Sequence, residues 1–208
     1  MTDRSETGPP GMEQHVTADG GFAYGVIGAS LHVFGDGTPL YVLENWRPPP
    51  PDAASRPEPP GGRERELADL RTWREEGPRL AVRWLHGPDG RGGSLLAAEF
   101  AREALADGWR VVTAVHGPGA VLPPPGSQDL RPAGAQGLIL IVDHADRWPL
   151  THLTWLFSNA LLHRPDVPTR LLLPARSTDT WPAVRATLAN HRAGTSAMFS
   201  APLQDGGA

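Results

Sequence analysis

Leu80-Ala81-Val82-Arg83-Trp84-Leu85, followed by Gly87-Pro88-Asp89-Gly90-Arg91-Gly92-Gly93-Ser94, is the stretch on which the fold turns. The first six residues form a short apolar run that predicts a strand. The apolar spacing from Leu95 to about Ala106, closed by Gly108, predicts a helix. A glycine-rich turn between a strand and a helix lets main-chain amides converge on an anion at the positive end of the helix dipole. The bland alternative is a strand-to-helix connection that is merely rich in glycine.

Working outward, the same alternation continues on both sides. Residues 63 to 75 predict a charged helix with Leu67, Leu70 and Trp73 on one face. Its arginines are balanced by Glu64, Glu66, Asp69, Glu75 and Glu76, as on a solvated, ion-paired face. Strands are expected at 111 to 115, 138 to 142, 170 to 173 and 196 to 199, with helices at 150 to 163 and 181 to 191. A Pro/Gly-rich loop covers 117 to 137. The near-continuous apolar run Leu138-Ile139-Leu140-Ile141-Val142 suits a strand covered on both faces. Strands alternating with helices imply right-handed βαβ units, and hence an α/β fold with a doubly wound, mostly parallel five-stranded sheet.

Upstream the pattern differs. Residues 1 to 21 are polar and carry Gly8, Pro9, Pro10 and Gly11, which predicts a disordered tail. Residues 22 to 46 predict a β-hairpin extension, with apolar runs at 22 to 34 and 40 to 43 around the turn Gly35-Asp36-Gly37-Thr38-Pro39. A lone hairpin is marginal in water, so this one is expected to pack on the larger domain or on a partner. Residues 47 to 61 are dominated by proline and read as an extended linker, 62 to 203 as the main domain and 204 to 208 as a tail.

Composition narrows the chemistry. All 19 basic residues are arginine, so every reaction that needs a lysine ammonium is excluded. The absence of cysteine excludes disulfides and thiolate metal sites. A formal charge of -4 without a basic stripe argues against a nucleic-acid surface, and no apolar run is long enough to cross a bilayer. With no signal-peptide pattern in the first 20 residues, a cytoplasmic location without membrane partners is expected.

Four ordered motifs then carry a resemblance. Gly87, Gly92 and Ser94 match the Walker A pattern G-x-x-x-x-G-K-[ST], with Gly93 where lysine belongs. Leu138 to Val142 ending in Asp143 resembles a Walker B strand, and Asp146 the second acid of its D-x-x-[DE] variant. Leu171-Leu172-Leu173-Pro174-Ala175-Arg176 resembles a sensor strand. Gly62-Arg63-Glu64-Arg65-Glu66-Leu67 resembles the G-R-E-x-E-L motif that precedes the loop. Together they resemble the core of STAND-type P-loop ATPases, the signal-transduction group that includes the NB-ARC switches, with an ASCE-like sheet.

That resemblance implies ATP or ADP with Mg²⁺ as cofactor. It places Gly62, Arg63, Gly87, Gly90, Arg91, Gly92, Gly93 and Ser94 at the nucleotide, Ser94 and Asp143 at the metal, and Asp146 and Arg176 in the catalytic positions. It also implies a protein partner such as a lid or repeat protein, since the chain ends at Ala208, near where a lid would begin. Gly93 departs from the pattern. Losing a preorganised charge of this kind typically costs about 2.7 to 4 kcal/mol in the barrier, so weak binding with little or no hydrolysis is expected. Arg91 is either a replacement cation in a slow ATPase or a solvated residue at a loop tip. An interaction module that kept the fold and lost its ligand is the remaining alternative.

Other features count for less. His144 is expected to point away from Asp143, as neighbours on a strand do. The eight histidines lack metal-ligand spacing. The seven tryptophans read as packing anchors, and Gly28-Ala29-Ser30 lacks the second glycine of a nucleophile elbow.

Overall fold

All five residues of Leu138–Val142 are buried, which a strand achieves only in the middle of a sheet covered on both faces. The computed structural model describes residues 28–30, 32, 38–48, 63–88, 91–117, 120, 123–124 and 127–201, with Arg91 described by its backbone alone. In chain order the elements are β1 (Tyr41–Asn45), α1 (Glu64–Glu75), β2 (Leu80–His86), α2 (Arg91–Ala106), β3 (Arg110–His116), β4 (Leu138–Val142), α3 (Leu150–Phe157), β5 (Thr169–Ala175), α4 (Trp181–Ala189) and β6 (Gly194–Phe199). Single turns of 3₁₀ helix lie at Ala145–Arg147 and Ala160–His163.

The strands form one six-stranded sheet in the order β1-β3-β4-β5-β2-β6. The four pairs among β2 to β6 are parallel, and only β1 runs antiparallel, against β3, with Tyr41 opposite His116 and Asn45 opposite Val112. Helices cover both faces, as alternation along the strands requires. Leu67, Leu70 and Trp73 of α1 join Leu96 and Phe100 of α2 over Leu85, Ile139 and Leu172. Leu153, Leu156 and Phe157 of α3 join Val184 and Leu188 of α4 over Val82, Trp84, Leu140 and Leu173. The α/β class and the doubly wound, mostly parallel sheet agree with the sequence expectation.

Three expectations need correction. The sheet has six strands, not five, because the second arm of the predicted hairpin, Tyr41–Asn45, is an edge strand of the main sheet. Its buried Tyr41, Val42 and Leu43 gain a packed face there that a free hairpin lacks. The predicted first arm lies outside the described residues apart from 28–30 and 32, where Leu40 N donates to His32 O at 2.9 Å. The predicted tails at 1–21 and 204–208 and most of the linker at 47–61 are likewise outside them.

The helix expected over 150 to 163 stops at Phe157, and a separate 3₁₀ turn follows. Asn159, fully buried, breaks it. Its Oδ1 accepts from Leu161 N at 3.0 Å and Ser30 N at 3.2 Å. Its Nδ2 donates to Ser30 O at 2.7 Å and Tyr41 Oη at 2.9 Å. One side-chain amide thus ends a helix and pins the backbone at Ser30. Finally, α2 starts at Arg91 and not at Leu95, so Gly92, Gly93 and Ser94 belong to its first turn.

Candidate functional site at the carboxyl edge of the sheet

Because β2, β3, β4, β5 and β6 are parallel, His86, His116, Val142, Ala175 and Phe199 end on the same edge, where open α/β sheets place their ligands. Gly87 follows β2, and a Cβ built on it would stand 2.5 Å from Ser200 O. Ser200 N donates to His86 O at 2.7 Å, and Gly87 N to Ala175 O at 3.3 Å. This glycine therefore answers to the close approach of three strand ends. Gly87→Ala is expected to cost about 1–3 kcal/mol, read as a lower urea midpoint, because the obstacle is backbone and cannot rotate away.

Ser94 Oγ donates to Asp143 Oδ1 at 2.8 Å, joining the first turn of α2 to the end of β4 across the end of β5. The same Oδ1 accepts from His144 N at 2.9 Å. No acidic residue lies in the first turn of α2, so the positive end of its dipole is not offset from within the helix. Gly93 is buried, yet a Cβ there would meet Leu85 Cγ and Pro174 Cβ at 3.9 Å, ordinary van der Waals contact.

Arg63 is 5% exposed. Its Nη1 donates to Gly92 O and to Ser200 Oγ, and its Nη2 to Ala201 O at 2.7 Å. Glu66 Oε1 accepts from Ala201 N at 2.9 Å. The start of α1 is thereby tied to the first turn of α2 and to the chain leaving β6, a clamp that the sequence motif did not reveal.

Asp146 and Arg176 also meet, Arg176 Nε donating to Asp146 Oδ2 at 3.3 Å. The other oxygen, Asp146 Oδ1, is buried and has no hydrogen-bond partner among the described residues. Gly62 and Gly90 fall outside the described residues, as does the side chain of Arg91. The structure thus brings together Arg63 with Gly92, Ser94 with Asp143, and Asp146 with Arg176. The expectation for His144 is overturned: β4 ends at Val142, His144 adopts φ 51°, and its Nε2 returns to 3.8 Å from Asp143 Oδ2.

Beside Asp143, a cavity of about 340 Å³ opens between the carboxyl ends of β3 and β4. His116 lies on its wall and hydrogen bonds His152 through Nε2 and Nδ1 at 2.8 Å. No local pattern joins residues so far apart in the chain. Burial, and secondarily His152, hold the His116 pKa below its ordinary 6.5. Burial does the same for His32 and, with His163 beside it, for His191.

Depressed histidine pKa values mean that the unfolded chain takes up these protons first. Their contribution to stability is complete above pH 6.5 and is lost as pH falls through the folded values. The depressed carboxylates, Glu99 beside Arg102 and Asp129 held at about 2 by Arg131, act only at lower pH. The urea midpoint is therefore expected to fall on acidification just below pH 6.5, and His116→Gln should flatten part of that slope.

The fold and this edge define an α/β protein that gathers a serine, two aspartates and an arginine where parallel strands end. No protein-family model matches the chain, and a search of curated proteins returns no match. No helix among the described residues is long and apolar enough to cross a membrane.

Proposed function

We propose that this edge is a degenerate phosphate-binding site of the P-loop kind, which binds ATP or ADP with Mg²⁺ weakly and serves a regulatory or scaffolding role in signalling. The observation that carries it is the hydrogen bond from Ser94 to Asp143 at 2.8 Å. A hydroxyl from the first turn of a helix and an acid from the end of a buried strand are the two hard oxygen donors such a site requires. The strand order adds support, since β5 stands between the loop-bearing β2 and the acid-bearing β4, as an ASCE-type sheet demands.

Ser94 and Asp143 fit Mg²⁺, which would neutralise phosphate charge when bound. The N-terminal end of α2 would attract the anion through its dipole. Asp146, with one buried oxygen unpartnered among the described residues, could accept a proton from a bound group. Two features oppose turnover. Gly93 supplies no ammonium, and Arg176, already beside Asp146, has its charge partly offset.

Isothermal titration with Mg-ATP and Mg-ADP is expected to give weak, saturable binding whose Mg²⁺-dependent part disappears in Asp143→Asn. Absence of heat at millimolar nucleotide would reject the proposal. Phosphate release should stay at background in wild type and in Arg91→Ala alike.

A further inference from the structure

The cavity beside Asp143 is separate from the glycine turn, since neither Gly92, Gly93 nor Ser94 lines it. Its body is apolar, walled by Ala114, Val115 and Trp148. Its polar groups differ in how far they are already committed. His116 spends Nε2 on His152 and lies 5.0 Å from the Trp148 ring, so that nitrogen is already committed on the wall. Asp143 has Oδ1 occupied by Ser94 and His144. Arg147 is exposed, lines the cavity, and makes no ion pair among the described residues.

We infer that this cavity binds a small aromatic carboxylic acid, with its carboxylate on Arg147 and its ring against Trp148, Ala114 and Val115. The volume, about 340 Å³, is at the small end of ligand pockets. An apolar wall with a guanidinium that has no ion-pair partner among the described residues is complementary to an apolar body carrying one negative charge. A dianion such as free phosphate lacks the apolar body and would place a second charge near Asp143. A neutral ring leaves Arg147 unanswered. Gly92, Gly93 and Ser94 do not line the cavity, so the inference does not require a nucleotide at the first turn of α2.

The test uses ¹⁵N-labelled full-length protein without nucleotide or Mg²⁺. Benzoate, phenylacetate and indole-3-acetate are titrated beside their neutral amides and beside inorganic phosphate. The expected result is saturable shifts at His116 and the Trp148 indole N–H, with the amides weaker by about tenfold or more. Arg147→Ala should weaken the acids by about the same factor, and Arg147→Lys should restore part of the loss. Arg147 is exposed, so neither variant threatens folding, and Arg185→Ala, at an exposed position on α4, is the control expected to change nothing. Equal binding of acids and amides, indifference to Arg147→Ala, or no shift at His116 and Trp148 at millimolar ligand would overturn the inference. Perturbation confined to Gly93 and Ser94, with phosphate as effective as the acids, would place the anion at the glycine turn instead.

Discussion

Gly93→Lys is expected to tighten Mg-ATP binding by about ten- to a hundredfold, the effect of adding one charge-assisted contact to phosphate. The position permits it, because the nearest atoms to a Cβ at Gly93 belong to Leu85 and Pro174, at 3.9 Å, ordinary van der Waals contact. In the absence of nucleotide the new ammonium is partly desolvated with no phosphate to answer it, so melting temperature should not rise. With Mg-ATP it should rise well above that of the wild type. Gly93→Ala is the matched control. It removes a helical glycine, which stabilises by about 0.5–1 kcal/mol, but adds no charge. Lysine and alanine variants with equal nucleotide affinity would mean that the first turn of α2 does not face a phosphate, and the proposed function would fall with it.

Arg170→Ala is expected to cost about 4 kcal/mol or more, a large fraction of the stability of an ordinary domain. Arg170 is 2% exposed on β5 and gathers carbonyl groups from the end of α1 and the turn after it. Its Nε donates to Trp73 O at 3.2 Å and Arg74 O at 2.9 Å. Its Nη1 donates to Pro78 O at 3.0 Å and Thr169 O at 3.1 Å, and its Nη2 to Glu76 O at 3.4 Å. A cation at a helix C-terminus also opposes the negative end of the dipole. Truncation leaves several buried carbonyls without donors, which costs more than the bonds contributed. Arg170→Lys should recover only part, since one ammonium cannot span acceptors spread around a guanidinium fork. Urea unfolding measures both, and a loss below about 1 kcal/mol for alanine would show that water replaces the guanidinium.

Most helices and strands were legible because their signals are local. The stripe of Leu67, Leu70 and Trp73 and the unbroken run at Leu138–Val142 each identify an element and how it is covered without reference to anything else in the chain. Ser94 and Asp143 were legible as a pair only through the resemblance. Arg170 did leave a trace, a charge inside an otherwise apolar strand, but nothing around it tells which carbonyls it serves. Asn159 carries no local mark inside a helical pattern, because its partners, Ser30 and Tyr41, come from another part of the chain.

By itself the sequence determined the α/β class, the order of the elements and the absence of any lysine chemistry. All of these follow from residue inventory and from periodicities of two and 3.6 between chain neighbours. Only the tertiary structure decided that Tyr41–Asn45 is a sixth strand, that Arg63 clamps Gly92, that Gly87 yields to the Ser200 carbonyl, and that His116 meets His152 beside an open cavity. Each depends on which distant surfaces fit together once the apolar faces are buried, and that choice is made by packing between segments that carry no mark of one another.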